Sequence, residues 1–469
     1  MIPNNMKYYF GPKFENDLNF FIVKLFIISV FFIRFFTETV VILPRALQFL
    51  DMGLLVLILI IFLLWFLAGK ELRTSGFSGG LFLIYLLLLF LSVIFNIGRM
   101  ELRVIGSYVL LQLGPMLFFI FFINANFNIE KINKLIKILI YTGIIQIVVS
   151  LFQIPKALAV SADFINGTFG WNSTQMLAFL STFVFCLIAS YRMVKQRKLK
   201  RYILILLAVS FFIFYLASWR ALWLSFPATM LIVLYFEKNT SQKLGRILLF
   251  ASIFLFALNF FFSFTGAKGN TYRYENNTMF QILEFDYDIK DIGKIRALLS
   301  VTDLYQDYPL AIIWGTGPGT YGSRAFRTFA VQYGGKTDVT ADFVKAGYSS
   351  DVAKKYLYSI YDNFKPAFSS STINSWQSSY VGMLGETGIF GFLLVAAIYV
   401  STIKRLYRIH KYSFDLYSHA LSLGSIGAIL FLAQTSFFDD YLGVFRVTFP
   451  TWLLIGITFR FWELNKVKK

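Results

Sequence analysis

The stretch 54-LLVLILIIFLLWFL-67, followed after a short polar link by 81-LFLIYLLLLFLSVIF-95, decides the fold class. Neither run carries a charge, and each sits in a segment close to the ~20 residues that an α-helix needs to cross the hydrocarbon core of a bilayer. Hydrocarbon offers no partner to a free backbone N–H or C=O, so runs of this kind must be helical. Working outward, similar runs predict helices at 18–38, 49–69, 78–97, 104–124, 134–154, 174–193, 202–218, 221–237, 246–265, 377–401, 415–437 and 443–463. The whole chain of 469 residues is 57% hydrophobic and only 15% charged, with a mean hydropathy of +0.65. A soluble protein of this size could not hide so much apolar surface in one core. The expectation is an all-α polytopic membrane protein: a single membrane domain, 1–469, with one large polar insertion, 266–372, between the ninth and tenth helices.

Lys and Arg are distributed unevenly between alternate loops. One set holds Lys70, Arg73, Lys131, Lys134, Lys137, Arg192, Lys195, Arg197, Lys198, Lys200, Arg201, Lys238, Lys243, Arg246, Lys404, Arg405, Arg408 and Lys411. The other holds Arg45, Arg99, Arg103, Lys156 and Arg220, with Arg446 just inside the last span. The positive-inside bias therefore predicts both termini in the cytoplasm and the long insertion outside. It also accounts for the formal charge of +19, which otherwise suggests nucleic acid, through cytoplasmic loops and anionic headgroups. Cys186 is the only cysteine, so no intramolecular disulfide is possible. The first helix is too long and too charged, with Lys24 and Arg34, to read as a cleavable signal.

Within the insertion, Lys290 to Asp307 reads as an amphipathic helix lying along the membrane surface, with Ile292, Ile295, Leu298, Leu299 and Leu304 on its apolar side. Asp351 to Ile360 is a second helical candidate. Between them lies Trp314-Gly315-Thr316-Gly317-Pro318-Gly319-Thr320-Tyr321-Gly322. Alternating glycines let a backbone turn sharply with its amides exposed, which suits phosphate oxygens, although a plain turn has the same composition. Asn166-Gly167-Thr168-Phe169-Gly170-Trp171 offers small, polar and aromatic groups to a sugar face, or an aromatic anchor to the interface. Ser218-Trp219-Arg220-Ala221 places an arginine at the mouth of a helix pair, where it could grip a diphosphate or snorkel to headgroups. Gln377 to Gly391 opens the tenth helix with Gly382, Gly385 and Gly388 spaced for close helix contact, and with Glu386 as either a catalytic acid or a structural tie.

Taken in order, Gly167-Thr168-Phe169-Gly170, Ser218-x-Arg220-Ala221, Arg296 followed by Tyr308-Pro309 and Gly315-x-Gly317-Pro318-Gly319-x-Tyr321, and Tyr380-x-x-x-Leu384-x-Glu386-x-Gly388-x-x-Gly391 resemble the bacterial O-antigen ligase and polymerase family. The resemblance covers about residues 165 to 400. It implies a GT-C-like membrane glycosyltransferase in the cytoplasmic (inner) membrane, acting at its outer, periplasmic face on glycans carried by undecaprenyl diphosphate. Neither metal nor nucleotide cofactor is implied. An acceptor hydroxyl would attack the sugar carbon bonded to diphosphate while arginines stabilise the departing charge. Arg220 and Arg296 are the leading phosphate contacts, with Arg324 next. Asp362, Asp163 and Glu101 are the outer-face candidates for a general base. Gly315, Gly317, Gly319, Tyr321, Gln377, Tyr380 and Trp171 are the substrate-side candidates. Ligases of the family carry histidine where this chain has Gln377, and His410 and His419 fall on the cytoplasmic side by the charge argument. The resemblance therefore favours a polymerase of lipid-linked repeat units, with a chain-length regulator as a candidate partner. A ligase or oligosaccharyltransferase is the alternative, and a flippase-like transporter, expected to show inverted repeats and broken helices, is the third reading.

Overall fold

A computed structural model describes residues 12–70, 79–159, 164–170, 173–216, 220–236, 250, 253, 292–325, 350–358, 378–413 and 415–466. Every regular element among them is helical. The chain runs through α1 (Pro12–Arg34), α2 (Leu50–Leu67), α3 (Gly79–Asn96), α4 (Leu102–Tyr108), α5 (Gly114–Asn124), α6 (Ile129–Ala159), α7 (Ser173–Met193), α8 (Arg197–Leu216) and α9 (Arg220–Phe236). It continues through α10 (Gly293–Asp307), α11 (Ala311–Trp314), α12 (Asp351–Ala353), α13 (Ser379–Tyr412), α14 (Leu416–Phe438) and α15 (Phe445–Lys466). Nine helical segments among the described residues are long and apolar enough to cross a membrane. The chain is an all-α, multi-pass membrane protein. The span expected at 246–265 lies outside the described residues, apart from Phe250 and Ile253.

Three expected spans differ in form, and one of them, α9, is described over 17 residues and is not among the nine. The helix expected at 104–124 is interrupted by a π-helical turn, Val109–Leu113, ahead of Pro115, whose ring suits the first turn of a helix. The last span, α15, is not among the nine, because Arg446, Arg460, Glu463 and several threonines dilute its hydropathy. It is instead buried along nearly its whole length, packed against α5, α6, α7 and α14, with Trp452 and Phe449 under 2% exposed. Phe445 and Phe449 meet Phe26, and Phe449 also meets Phe118, with ring centroids 4.9 to 5.8 Å apart. A helix enclosed by protein does not need the hydropathy of one that faces lipid.

The close pairing of α14 with α7 depends on small residues. A Cβ on Gly424 would sit 2.2 Å from Cys186 Sγ, and one on Gly427 would sit 2.6 Å from the Phe185 ring. Several buried hydroxyls are satisfied inside their own helices, as Ser181 on Leu177 O, Thr402 on Ile398 O and Thr458 on Leu454 O illustrate.

Charges sort to the two ends of the bundle. One end gathers Lys70 with Glu15 at 2.7 Å, Lys131 with Asp17 at 2.6 Å, Arg405 with Glu463 at 3.7 Å and the adjacent, tilted rings of His410 and His419. The other gathers Arg34, Glu38, Asp51, Asp440, Arg446 and the described parts of the polar insertion. These parts form a small second core from Val104, Ala297, Val301, Leu304, Tyr321, Val352, Leu357 and Val381. Here α10 presents its small face, Ala297, Ser300 and Val301, inward, and leaves Leu298 and Leu299 exposed. Of the residues expected on its apolar side, Ile292 and Leu304 are buried here and Leu298 and Leu299 are exposed. The turn of α12, with the π-helical Lys354–Tyr358 that follows it, is tied to α10 where Lys355 and Tyr356 donate to Asp307 and hold its carboxyl below the usual range.

Cysteines placed singly at Arg45, Arg103 and Asp439, in a Cys186→Ala background, should react with an impermeant maleimide from one side of the membrane only. Cysteines at Lys131 and Lys411 should react only from the opposite side. Labelling of both sets from one side would contradict this arrangement.

Candidate functional site

The polar end of the bundle is organised by one carboxylate. Helix α13 begins at Ser379, where Ser378 caps the first turn, and presents Gly382, Gly385 and Gly388 at three-residue spacing. The segment 315–323 lies directly on that face. A Cβ on Gly385 would meet the Tyr321 ring at 2.2 Å, and one on Gly315, whose φ is +69°, would meet the Glu386 backbone at the same distance. At Gly388, with φ +71° and ψ −179°, the helix is broken. The carbonyls of Gly385 and Glu386 accept instead from the amides of Thr316 at 2.9 Å and Gly317 at 3.1 Å.

Into this fold projects the fully buried side chain of Glu386. It accepts four backbone N–H groups, from Gly319 at 2.8 Å, Tyr321 at 3.1 Å, and Gly322 and Ser323 at 2.9 Å each. The glycine-rich segment does form a cradle of converging amides. Its anion, however, is the protein's own carboxylate, so Gly315, Gly317 and Gly319 serve packing and turn geometry rather than a ligand's phosphate. Tyr321 is likewise wholly buried and hydrogen-bonded to Ser300 Oγ, and the Tyr380 phenol donates to Ala433 O. Neither offers itself to a substrate.

The second glycine motif is tied just as firmly. Gln153 of α6 brackets the loop, receiving the amides of Asn166 and Gly167 at 3.0 and 2.8 Å and donating to Asn166 Oδ1 and Gly167 O at 2.9 Å. Gln146 accepts from the Thr168 amide at 2.8 Å, and the Thr168 hydroxyl donates to Phe31 O at 2.6 Å. Gly170, with φ +90°, lies so close to α1 that a Cβ there would be 2.5 Å from Glu38 Oε2 and 2.9 Å from Arg34 Cβ. The loop forms one wall of the surroundings of Arg34.

Around that wall three arginines converge. Arg324 and Arg446 both lie within electrostatic reach of Arg34, with Glu38 and Asp51 as the acids acting on it. Arg446, whose side chain is 4% exposed, donates to Asp51 Oδ2 at 2.8 Å and to Gln48 O at 3.0 Å. Its Nη1 has no hydrogen-bond acceptor among the described residues, and neither has Nε of Arg34, whose ion pair with Glu38 is a loose 3.6 Å. Arg324 is positioned by the buried carboxylate of Asp440, which takes its amide together with Ser379 Oγ at 2.9 Å and Gly443 N at 3.2 Å. Guanidinium groups gathered in this way are suited to bidentate recognition of phosphate oxygens.

Of the sequence candidates, Arg324 belongs to this cluster. Arg296 stands partly exposed on α10 and is not among the charges acting on Arg34. Glu101 is engaged by Arg103 at the head of α4. Arg220 opens α9, but its side chain, like Asp163, Trp171, Asp362 and Gln377, lies outside the described residues. Arg34 and Arg446 were missed as site residues because each reads singly as a charge near a helix end. The available signal was that both interrupt apolar runs at the same expected face. No family model and no curated protein matches the chain.

Glu386→Gln would set an NH2 group against amide donors and should destabilise the protein by about 3 kcal/mol, the scale for unsatisfied buried polar groups and broken buried charge interactions. A clear fall in Tm in detergent is expected. An unchanged Tm would show that the cradle does not depend on the carboxylate.

Proposed function

We propose that this protein polymerises lipid-linked oligosaccharide repeat units at the outer face of the cytoplasmic membrane, with undecaprenyl diphosphate as the carrier. The observation that carries the reading is the arginine cluster, in which Arg446 keeps a buried donor beyond those used on Asp51 and Gln48. In the proposed reaction an acceptor hydroxyl oxygen forms the new bond to the anomeric carbon as the bond from that carbon to the donor's diphosphate breaks. The hydroxyl proton passes to an oxygen of the departing diphosphate, which also takes the electron pair of the broken bond. Negative charge grows on the departing oxygen, and Arg324, with Arg34 and Arg446, opposes it in a site with little competing water.

The reading moves the chief phosphate contact from Arg220 and Arg296 to Arg324 and its two neighbours. It keeps the preference for a polymerase over a ligase, which rests on Gln377 in place of the ligase histidine. A partner that sets chain length would meet the same end of the bundle.

In a deletion strain complemented with Arg324→Ala, surface glycan should collapse toward a single repeat unit. Purified variant should elongate lipid-linked repeats about 100-fold more slowly, the scale for losing one preorganised donor. Full-length polymer with an ordinary length distribution would remove the assignment. Long chains accumulating on the carrier would indicate a ligase, and substrate crossing vesicles without bond formation a transporter.

A further inference from the structure

The segment between α1 and α2 is an apolar turn at this end of the bundle. A π-helical turn, Phe35–Thr39, leads into Val40-Val41-Ile42-Leu43-Pro44 and then a 3-10 turn, Arg45–Phe49. Val41 and Ile42 are 63% and 70% exposed, and Val40 and Leu47 stand out beside them. The backbone makes no call on water for most of the turn. The amide of Val40 donates to Phe35 O at 2.8 Å, and those of Ile42 and Leu43 donate to Phe36 O at 2.9 and 3.1 Å. Val41 is held at φ +56°, a left-handed conformation that a β-branched residue adopts only when its surroundings enforce it. A turn that satisfies its own amides while presenting aliphatic side chains is built to lie in hydrocarbon.

Directly behind this apolar edge is charge. The Arg446 guanidinium lies under the 3-10 turn, bonded to Gln48 O, and its buried Nη1 has no acceptor among the described residues. Arg34, which immediately precedes the π-helical turn, has the same property at Nε. Arg446, Arg324, Glu38 and Asp51 are the charged groups that act on Arg34, and Asp440 stands beyond them on the Arg324 amide. An aliphatic ridge beside two guanidinium groups with unused donors complements an amphiphile that carries an anionic head on an apolar chain.

We propose that residues 39–47 form a lipid platform, on which the chain of a polyisoprenyl diphosphate lies along Val40, Val41 and Ile42 while its phosphates reach Arg34 and Arg446. The choice of a diphosphate lipid rests on the functional reading above; the platform itself rests on the turn and the two guanidinium groups. On this assignment, substrate enters sideways from the bilayer between the ends of α1 and α2.

The test is binding without turnover. Full-length protein in phosphatidylcholine nanodiscs is titrated with farnesyl diphosphate, which has head and chain, and with inorganic pyrophosphate, which has the head alone. Farnesyl diphosphate should bind about tenfold more tightly, a difference within the reach of a few buried aliphatic contacts. Val41→Asn, which tolerates the left-handed backbone, combined with Ile42→Asn, should erase that advantage and leave pyrophosphate binding unchanged. Arg446→Lys keeps the pairing with Asp51 but loses the planar fork, and should weaken both ligands by about tenfold. Equal binding of the two ligands, or an advantage that survives the double asparagine variant, overturns the platform. Displacement of farnesyl diphosphate by an equal mole fraction of phosphatidylglycerol overturns its specificity for diphosphate. A protein that binds in the expected pattern yet elongates nothing supports the platform and removes the polymerase reading. Elongation by a chain whose binding ignores Val41 and Ile42 does the reverse.

Discussion

The carboxylate of Glu386 and the four amides that converge on it are the constraint on which the polar end of this protein depends. A buried carboxylate costs several kcal/mol to desolvate unless its oxygens are satisfied, and segment 319–323 can satisfy them only by wrapping closely around α13. That wrapping requires glycine at 385, where Tyr321 packs, and at 315, which lies against the Glu386 backbone. It also exploits the break at Gly388, near which two carbonyls turn to the incoming segment. Arg324 follows within one residue of the wrapped stretch, so its position is set by the same interaction, with Asp440 closing the other side.

The arginine cluster is assembled from distant parts of the chain, each fixed by a neighbour that is not itself cationic. Gly170 abuts Arg34, Asp440 takes the amide of Arg324, and Asp51 with the Gln48 carbonyl holds Arg446. Such supports keep like charges close without requiring them to attract one another. The same end of the bundle thus joins a rigid backbone scaffold to guanidinium groups that retain hydrogen-bonding capacity.

The all-α class, most span positions and the segregation of the loops were legible, because hydropathy and lysine and arginine bias follow directly from the bilayer. Tertiary choices were not. Alternating glycines at 315, 317 and 319 announce exposed amides, but not which anion fills them, and Glu386 lies more than sixty residues further along the chain. On α10 the spacing of apolar residues marked a face along the membrane surface, but not that Ser300 would meet Tyr321 on the other side. Arg34 and Arg446 were visible only one at a time, and a shared site exists only once α1 and α15 are side by side.

The enclosed character of α15 bears on how the molecule is made. A segment bearing Arg446, Arg460 and Glu463, with threonines through its middle, has little to gain from dissolving in lipid alone. The aromatic walls supplied by α1 and α5, together with Asp51 and the Phe127 carbonyl, are what make it acceptable inside the bilayer. During biogenesis the earlier spans must therefore gather into an open trough before this last piece leaves the insertion machinery, and its arrival completes the arginine cluster. Assembly of the bundle and completion of that cluster are one event, so a half-built bundle would lack the Arg446 guanidinium beside Asp51 and Gln48.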